Sequence, residues 1–149
     1  MRLSTYTDYT LRTLMYLALN SERHTTIAEI ASAWRVSETH LMKIVHHLGV
    51  AGEIETTRGR NGGLRLRAKA EDINLGAIVR RTETDMELVS CFDGTSSCTI
   101  SEACVLRSVL HEALAAFLNV LDRYTLADLV APRTRLSALL GIEPAAAAV

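Results

Sequence analysis

Cys91, Cys98 and Cys104 are the only cysteines of the chain, and they fall within fourteen residues in the spacing C-x6-C-x5-C. An odd number of clustered thiols, with no apolar leader at the start of the sequence, makes a poor disulfide framework. Metal or redox chemistry is the better expectation. Structural zinc sites gather four ligands and bring them in close C-x2-C pairs, and neither feature is present. Open loops of five and six residues suit a larger object, because an iron–sulfur cluster needs thiolates spread around a rhomb or a cube. Between the first two cysteines runs Phe92-Asp-Gly-Thr-Ser-Ser97. Its small residues leave backbone amides free to donate to cluster sulfides and offset their charge. Three unrelated reduced thiols are the plain alternative.

A site on so short a segment must be framed by the elements around it. Asp8 to Asn20 reads as a helix, with Leu11, Leu14, Met15 and Ala18 at the three–four spacing of one buried face. Thr26-Ile-Ala-Glu29 has the form of a capping box, and behind it Ile27, Ile30, Ala31 and Trp34 make a short apolar stripe. Arg35 and Val36 form a tight connection, with Val36 as its apolar plug. Ser37 can cap a second helix in which Leu41, Ile44, Val45 and Leu48 repeat the stripe up to Gly49. Two short amphipathic helices on so brief a turn suggest a helix-turn-helix. Ile54 to Arg58 and Leu64 to Arg67 then alternate on either side of Gly59-Arg-Asn-Gly-Gly63, a strong hairpin signal. Helix, helix, two-stranded ribbon is the order of a winged helix. A helix from Asn74 uses Leu75, Ile78 and Val79 and ends near Glu83. After the cysteines, Cys104 to Tyr124 forms the longest helix. Leu106, Leu110, Ala113, Phe117, Val120 and Tyr124 alternate four–three along it, and Val109, Leu114, Leu118 and Leu121 widen the stripe beyond what one partner requires. One side then packs on its own domain and the other on a second copy. Thr125 caps a last short helix.

The net charge of −1 conceals a division: residues 1–70 carry +4 and residues 71–149 carry −5. Only the front half is built to meet a polyanion. In the second helix of the pair, Thr39, His40 and Lys43 lie off the apolar stripe, with Glu38, His46 and His47. Side chains of this kind reach base edges or phosphates from a helix in a major groove. Residues 56–70, TTRGRNGGLRLRAKA, hold Arg58, Arg60, Arg65, Arg67 and Lys69 and no acid. Their mutual repulsion would be relieved by a phosphate backbone. Asn61, Gly62 and Gly63 allow a close turn that lets the tip enter a minor groove with Arg60 leading. A solvated charged face is the plain alternative.

The helix-turn-helix, the wing GRNGGLRL and three cysteines before a long helix resemble, over roughly residues 1–140, the winged-helix iron–sulfur transcription regulators that include NsrR and IscR. The resemblance implies a symmetric dimer whose cluster state sets affinity for an operator. In the IscR branch a histidine three residues after the last cysteine completes the site; here that position is Arg107. The pattern is nearer the NsrR branch, whose relatives respond to nitric oxide, although the first cysteine spacing is six residues rather than five. Candidates for the fourth iron ligand are Asp8, Asp85, Glu87, Asp93, Glu102 and His111. Asp93 and Glu102 lie between thiolates, where the short chain would strain to reach a separate iron. His111, two helical turns past Cys104, reads as pointing away. Similarity to NsrR favours Asp8 of the partner subunit, because it places the first helix of one subunit beside the cluster loop of the other.

The expected architecture is therefore mainly α with a small β-hairpin wing: a winged helix-turn-helix DNA-binding domain plus a long dimerisation helix. The expected divisions are a DNA-binding unit over 1–80, a cluster-binding loop over 81–105, dimerisation and C-terminal helices over 106–140, and a disordered tail over 141–149. The expected cofactor is a 4Fe-4S cluster, with 2Fe-2S as the alternative for a sensor of cluster supply or redox state. The expected partners are double-stranded DNA, a second copy and nitric oxide, in the cytoplasm and without a membrane. A zinc-stabilised DNA-binding module and a small redox enzyme are the readings from other classes. The enzyme reading finds no Gly-rich phosphate loop or nucleophile–base pair to support it, and so no catalytic residue is expected.

Overall fold

A computed structural model describes residues 2–90, 92, 98–100 and 103–142. The element order is α1 (Thr5–Leu19), α2 (Ile27–Trp34), α3 (Glu38–Val50), β1 (Ile54–Thr57), β2 (Gly63–Leu66), α4 (Leu75–Thr82), α5 (Val105–Leu121), α6 (Leu126–Leu129) and α7 (Arg133–Leu140). Helices and one antiparallel hairpin give the expected fold class. No helix among the described residues is long and apolar enough to cross a membrane.

α1 is the central post. It starts at Thr5 rather than Asp8, because the Ser4 side chain accepts from the Thr7 amide and begins the helix one turn early. Leu14 and Leu17 are fully buried, and they join Ile30, Leu41, Ile44 and Ile54 in one core. The Thr26–Glu29 capping box is present as read, and Arg35 at φ 53 closes α2 in the left-handed region. Ser37 has extended backbone geometry but makes no side-chain cap bond to α3, contrary to expectation.

β1 starts at Ile54 as read and ends one residue sooner, at Thr57, while β2 sits one residue earlier than the alternation suggested; they pair Ile54 with Leu66, Glu55 with Arg65, Thr56 with Leu64 and Thr57 with Gly63. Leu64 also exchanges two backbone hydrogen bonds with Thr25, at 3.0 and 2.8 Å. This pins the hairpin to the chain just before α2. The turn depends on glycine: a Cβ on Gly62 would lie 2.1 Å from the Thr57 carbonyl oxygen.

α5 is shorter than its periodicity. Cys104 is its N-cap residue and the helix stops at Leu121, so Tyr124 does not continue the stripe. Long-range bonds take over there. Asp122 receives both guanidinium nitrogens of Arg80 at 2.5 and 2.7 Å, and the Tyr124 carbonyl accepts from the Leu75 amide at 3.0 Å. The last helix is two helices, and both return to the core. Leu126, Val130 and Ile142 are buried with Leu14 and Leu17, while Arg133 donates to the Ala18 and Leu19 carbonyls at 3.2 and 2.7 Å. A cation there also suits the negative end of the α1 dipole. Gly141 at φ 64 ends α7, so residues 141 and 142, expected to open the tail, belong to the folded body. The rest of that tail, 143–149, lies outside the described residues.

Candidate functional site

The buried face of α3, Leu41, Ile44, Val45 and Leu48, turns the opposite face outward. Thr39, His40 and Lys43 are exposed there, as are His46 and His47. The two edges of α3 have different neighbours. Towards the hairpin, Met42, His46 and Val50 border a groove whose other wall is Glu55, Thr56 and Arg67. Towards α1, the His47 Nδ1 is hydrogen-bonded to the Tyr6 hydroxyl at 2.9 Å, and the His40 ring lies 6.3 Å from the Tyr9 ring. The interaction of α1 with these histidines had no signal in the helical periodicity, because it joins residues forty-one positions apart.

At the hairpin tip Arg58, Arg60 and Asn61 are exposed. Arg65 differs from the reading of an uncompensated basic run. Its Nε lies 3.0 Å from Glu55 Oε1, because the register sets the two residues directly opposite each other. The acid lies just outside the window that looked acid-free. Both side chains are about half exposed, so the pair is weak and its arginine remains exchangeable to a phosphate.

Of the cysteines, Cys98 is exposed and Cys104 half-buried, and both are free thiols. Cys91, Asp93 and Glu102 fall outside the described residues. Asp8 lies in the first turn of α1, paired with Arg12 at 2.9 Å in a surface i,i+4 contact. Such a pair costs little to open. Asp85 and Glu87 are exposed, with the Glu87 amide donating to Asp85 Oδ1 at 2.8 Å. His111 departs from expectation. Its ring stacks on Phe92, the neighbour of Cys91, with centroids 3.9 Å apart and planes at 7°. The imidazole thus faces the cysteine segment instead of turning away from it. Among the described residues, no three Cys, His, Asp or Glu side chains converge on a metal-sized site within the subunit. One exposed thiol, one half-buried thiol and a loosely held carboxylate are nonetheless donor types that fit an iron–sulfur cluster.

The cysteine segment leaves the fold at a well-fastened point. Burial pushes the Glu83 carboxyl up, but the polar groups of Thr7 and Ser4 beside it, the donating Ser4 amide among them, outweigh it and hold the group below its ordinary value. The Ser4 amide donates to Glu83 Oε1 at 2.7 Å, and the buried Thr7 hydroxyl donates to Thr82 Oγ1 at 2.8 Å.

Comparison with known proteins is consistent across sequence and fold. The family described as Rrf2, iron-dependent transcriptional regulator, matches residues 3–132. The HTH-type transcriptional regulator NsrR of Geobacillus kaustophilus is 52% identical over 142 residues, which cover 94% of this chain and 97% of that one. NsrR of Shouchella clausii is 49% identical over 142 residues, covering 94% and 95%. Among solved structures, T. potens IscR superposes with a TM-score of 0.72 at 26% identity, covering 89% of this chain and 88% of that one.

Proposed function

Given that this chain belongs to the Rrf2 family of transcriptional regulators, we propose that it is a homodimeric repressor whose operator affinity is set by nitric oxide through a 4Fe-4S cluster. Cys91, Cys98 and Cys104 would hold the cluster, and Asp8 of the partner subunit would supply the fourth ligand. As a regulator of transcription it is not an enzyme.

The observation that carries the DNA-binding reading is the exposure of one polar face of α3 beside a basic hairpin, with a groove between the hairpin-facing edge of α3 and the strands. Thr39, His40 and Lys43 stand on α3, and Arg58, Arg60 and Asn61 cap the hairpin beyond it. A helix in the major groove with a basic turn in the neighbouring minor groove is the docking that such an arrangement supports. The dimer reading is supported by α5, where Val105, Leu106, Val109 and Val120 are 73%, 62%, 51% and 43% exposed. A row of apolar side chains along one helix calls for a covering surface, and a second copy supplies a self-complementary one.

When bound, an iron–sulfur cluster offers iron centres to which nitric oxide binds. The protein's part is to hold it with three soft thiolates and one hard oxygen. The carboxylate is the weaker ligand for a softer iron site and the more replaceable one. Arg107 at the position of the IscR-branch histidine leaves that branch's fourth ligand without a counterpart.

Arg60→Ala is expected to weaken operator binding while leaving the dimer intact. If Arg60 neutralises a phosphate, the slope of log affinity against log salt falls by about one unit. Filter-binding or anisotropy titrations at several salt concentrations measure both; an unchanged affinity and slope would remove the wing as a DNA contact. Iron and sulfide analysis of anaerobically purified protein, with its visible spectrum, separates a cluster from zinc.

A further inference from the structure

We infer that Tyr6 and Arg81 are positioning residues for operator recognition, tying the start of the cysteine segment to both DNA-reading elements. The inference deepens the sensor reading above and rests on it.

The cysteine segment departs from the C-terminus of α4, and that terminus is bound on two sides. On one side, the α1 cap residue Ser4 and first-turn Thr7 hold Glu83 and Thr82 at 2.7 and 2.8 Å. Tyr6 belongs to the same turn, and its hydroxyl is 2.9 Å from His47 Nδ1 on α3. The rings also meet edge to face, with centroids 5.7 Å apart. On the other side, Arg81 donates to Glu53 Oε1 at 2.6 Å. Glu53 is the joint between the two reading elements: its amide donates to the Leu48 carbonyl of α3 at 3.0 Å, and its carbonyl accepts from the Arg67 amide beyond β2 at 3.0 Å.

A displacement of the α4 terminus therefore reaches α3 through Tyr6 and the hairpin through Arg81. The space for such a shift is present: a cavity of about 220 Å3 is lined by Tyr6, His47, Leu48, Ala51, Arg81 and Thr82, the residues of this junction. The Arg81–Glu53 and Tyr6–His47 contacts join exposed polar tips, so they reposition without disturbing the apolar core. They tune the angle of the reading elements and do not hold the subunit together.

The test compares Tyr6→Phe, which keeps the ring and loses the hydroxyl, with Arg81→Gln and its conservative control Arg81→Lys. Operator affinity is measured for the anaerobic holo dimer and the apo dimer of each, beside a scrambled duplex. Tyr6→Phe and Arg81→Gln are each expected to shrink the holo-to-apo affinity ratio about fivefold, with scrambled-DNA binding unchanged and Arg81→Lys restoring most of the ratio. In apo protein alone, the ring-nitrogen NMR shifts of His47 are expected to move on Tyr6→Phe. A wild-type ratio near one sinks the sensor reading and this inference with it. A large wild-type ratio that both variants retain overturns the inference alone, as does an equal weakening of holo and apo forms. Unmoved His47 shifts overturn the Tyr6 arm.

Discussion

Operator affinity is expected to fall at least tenfold when the holo dimer loses its cluster or is treated with nitric oxide, a coupling of about 1.4 kcal/mol. The size follows from where the cysteine segment lies. It leaves the winged-helix body after Glu83, and its last cysteine is the N-cap residue of α5, so it links the reading head to the helix expected to form the dimer. Half-sites about one DNA turn apart tolerate little error in the separation of two recognition helices. Three thiolates held around one object would fix the geometry of the segment that carries them. Any one of Cys91→Ala, Cys98→Ala or Cys104→Ala should abolish stable cluster binding. Asp8→Ala should leave a more labile one, since only a weakly held surface carboxylate is removed. Anaerobic titration of holo, apo and nitric-oxide-treated protein against one operator at matched salt measures the effect. Equal affinities for all three would refute the sensor mechanism even with the cluster present.

The second large effect concerns α5. Val120→Asp is expected to give a folded monomer. Val120 is 43% exposed in the single subunit, so an aspartate there stays hydrated while the chain is alone. In a twofold interface each substitution occurs twice, and burying an unpaired carboxylate costs several kcal/mol per ion. The dimer dissociation constant should rise by more than about a hundredfold, with the helical circular dichroism preserved. Phe117→Asp is a poorer probe. Phe117 is half-buried beside Leu114 in a cavity closed by Arg2, Leu3 and the 83–88 segment, so a charge there damages the subunit as well. Light scattering and sedimentation report the outcome. A stable Val120→Asp dimer would place the interface elsewhere.

The sequence by itself determined the local elements and the chemical inventory. Apolar periodicity marks α1 to α4, and the Thr26–Glu29 box is read directly because a cap and its helix are neighbours in the chain. Gly62 marks the hairpin because only a residue without Cβ fits against the Thr57 carbonyl. Three clustered thiols without a disulfide framework already raise the expectation of metal or redox chemistry. What the tertiary structure decided are relations between residues distant in sequence. Arg65 reads as an uncompensated charge until the register brings Glu55 opposite it. The four–three stripe of α5 runs to Tyr124 in the sequence, yet the helix stops at Leu121, where the Arg80–Asp122 pair and the Leu75 amide claim the following residues. His111 turns towards the cysteine segment because an aromatic ring from that segment meets it. The Tyr6–His47 bond likewise joins two helices whose separate patterns are complete without it. Periodicity reports which face of an element is buried, because that depends on a residue's own polarity. Which partner meets the exposed edge depends on packing angles between elements, and these are fixed only when the whole core closes.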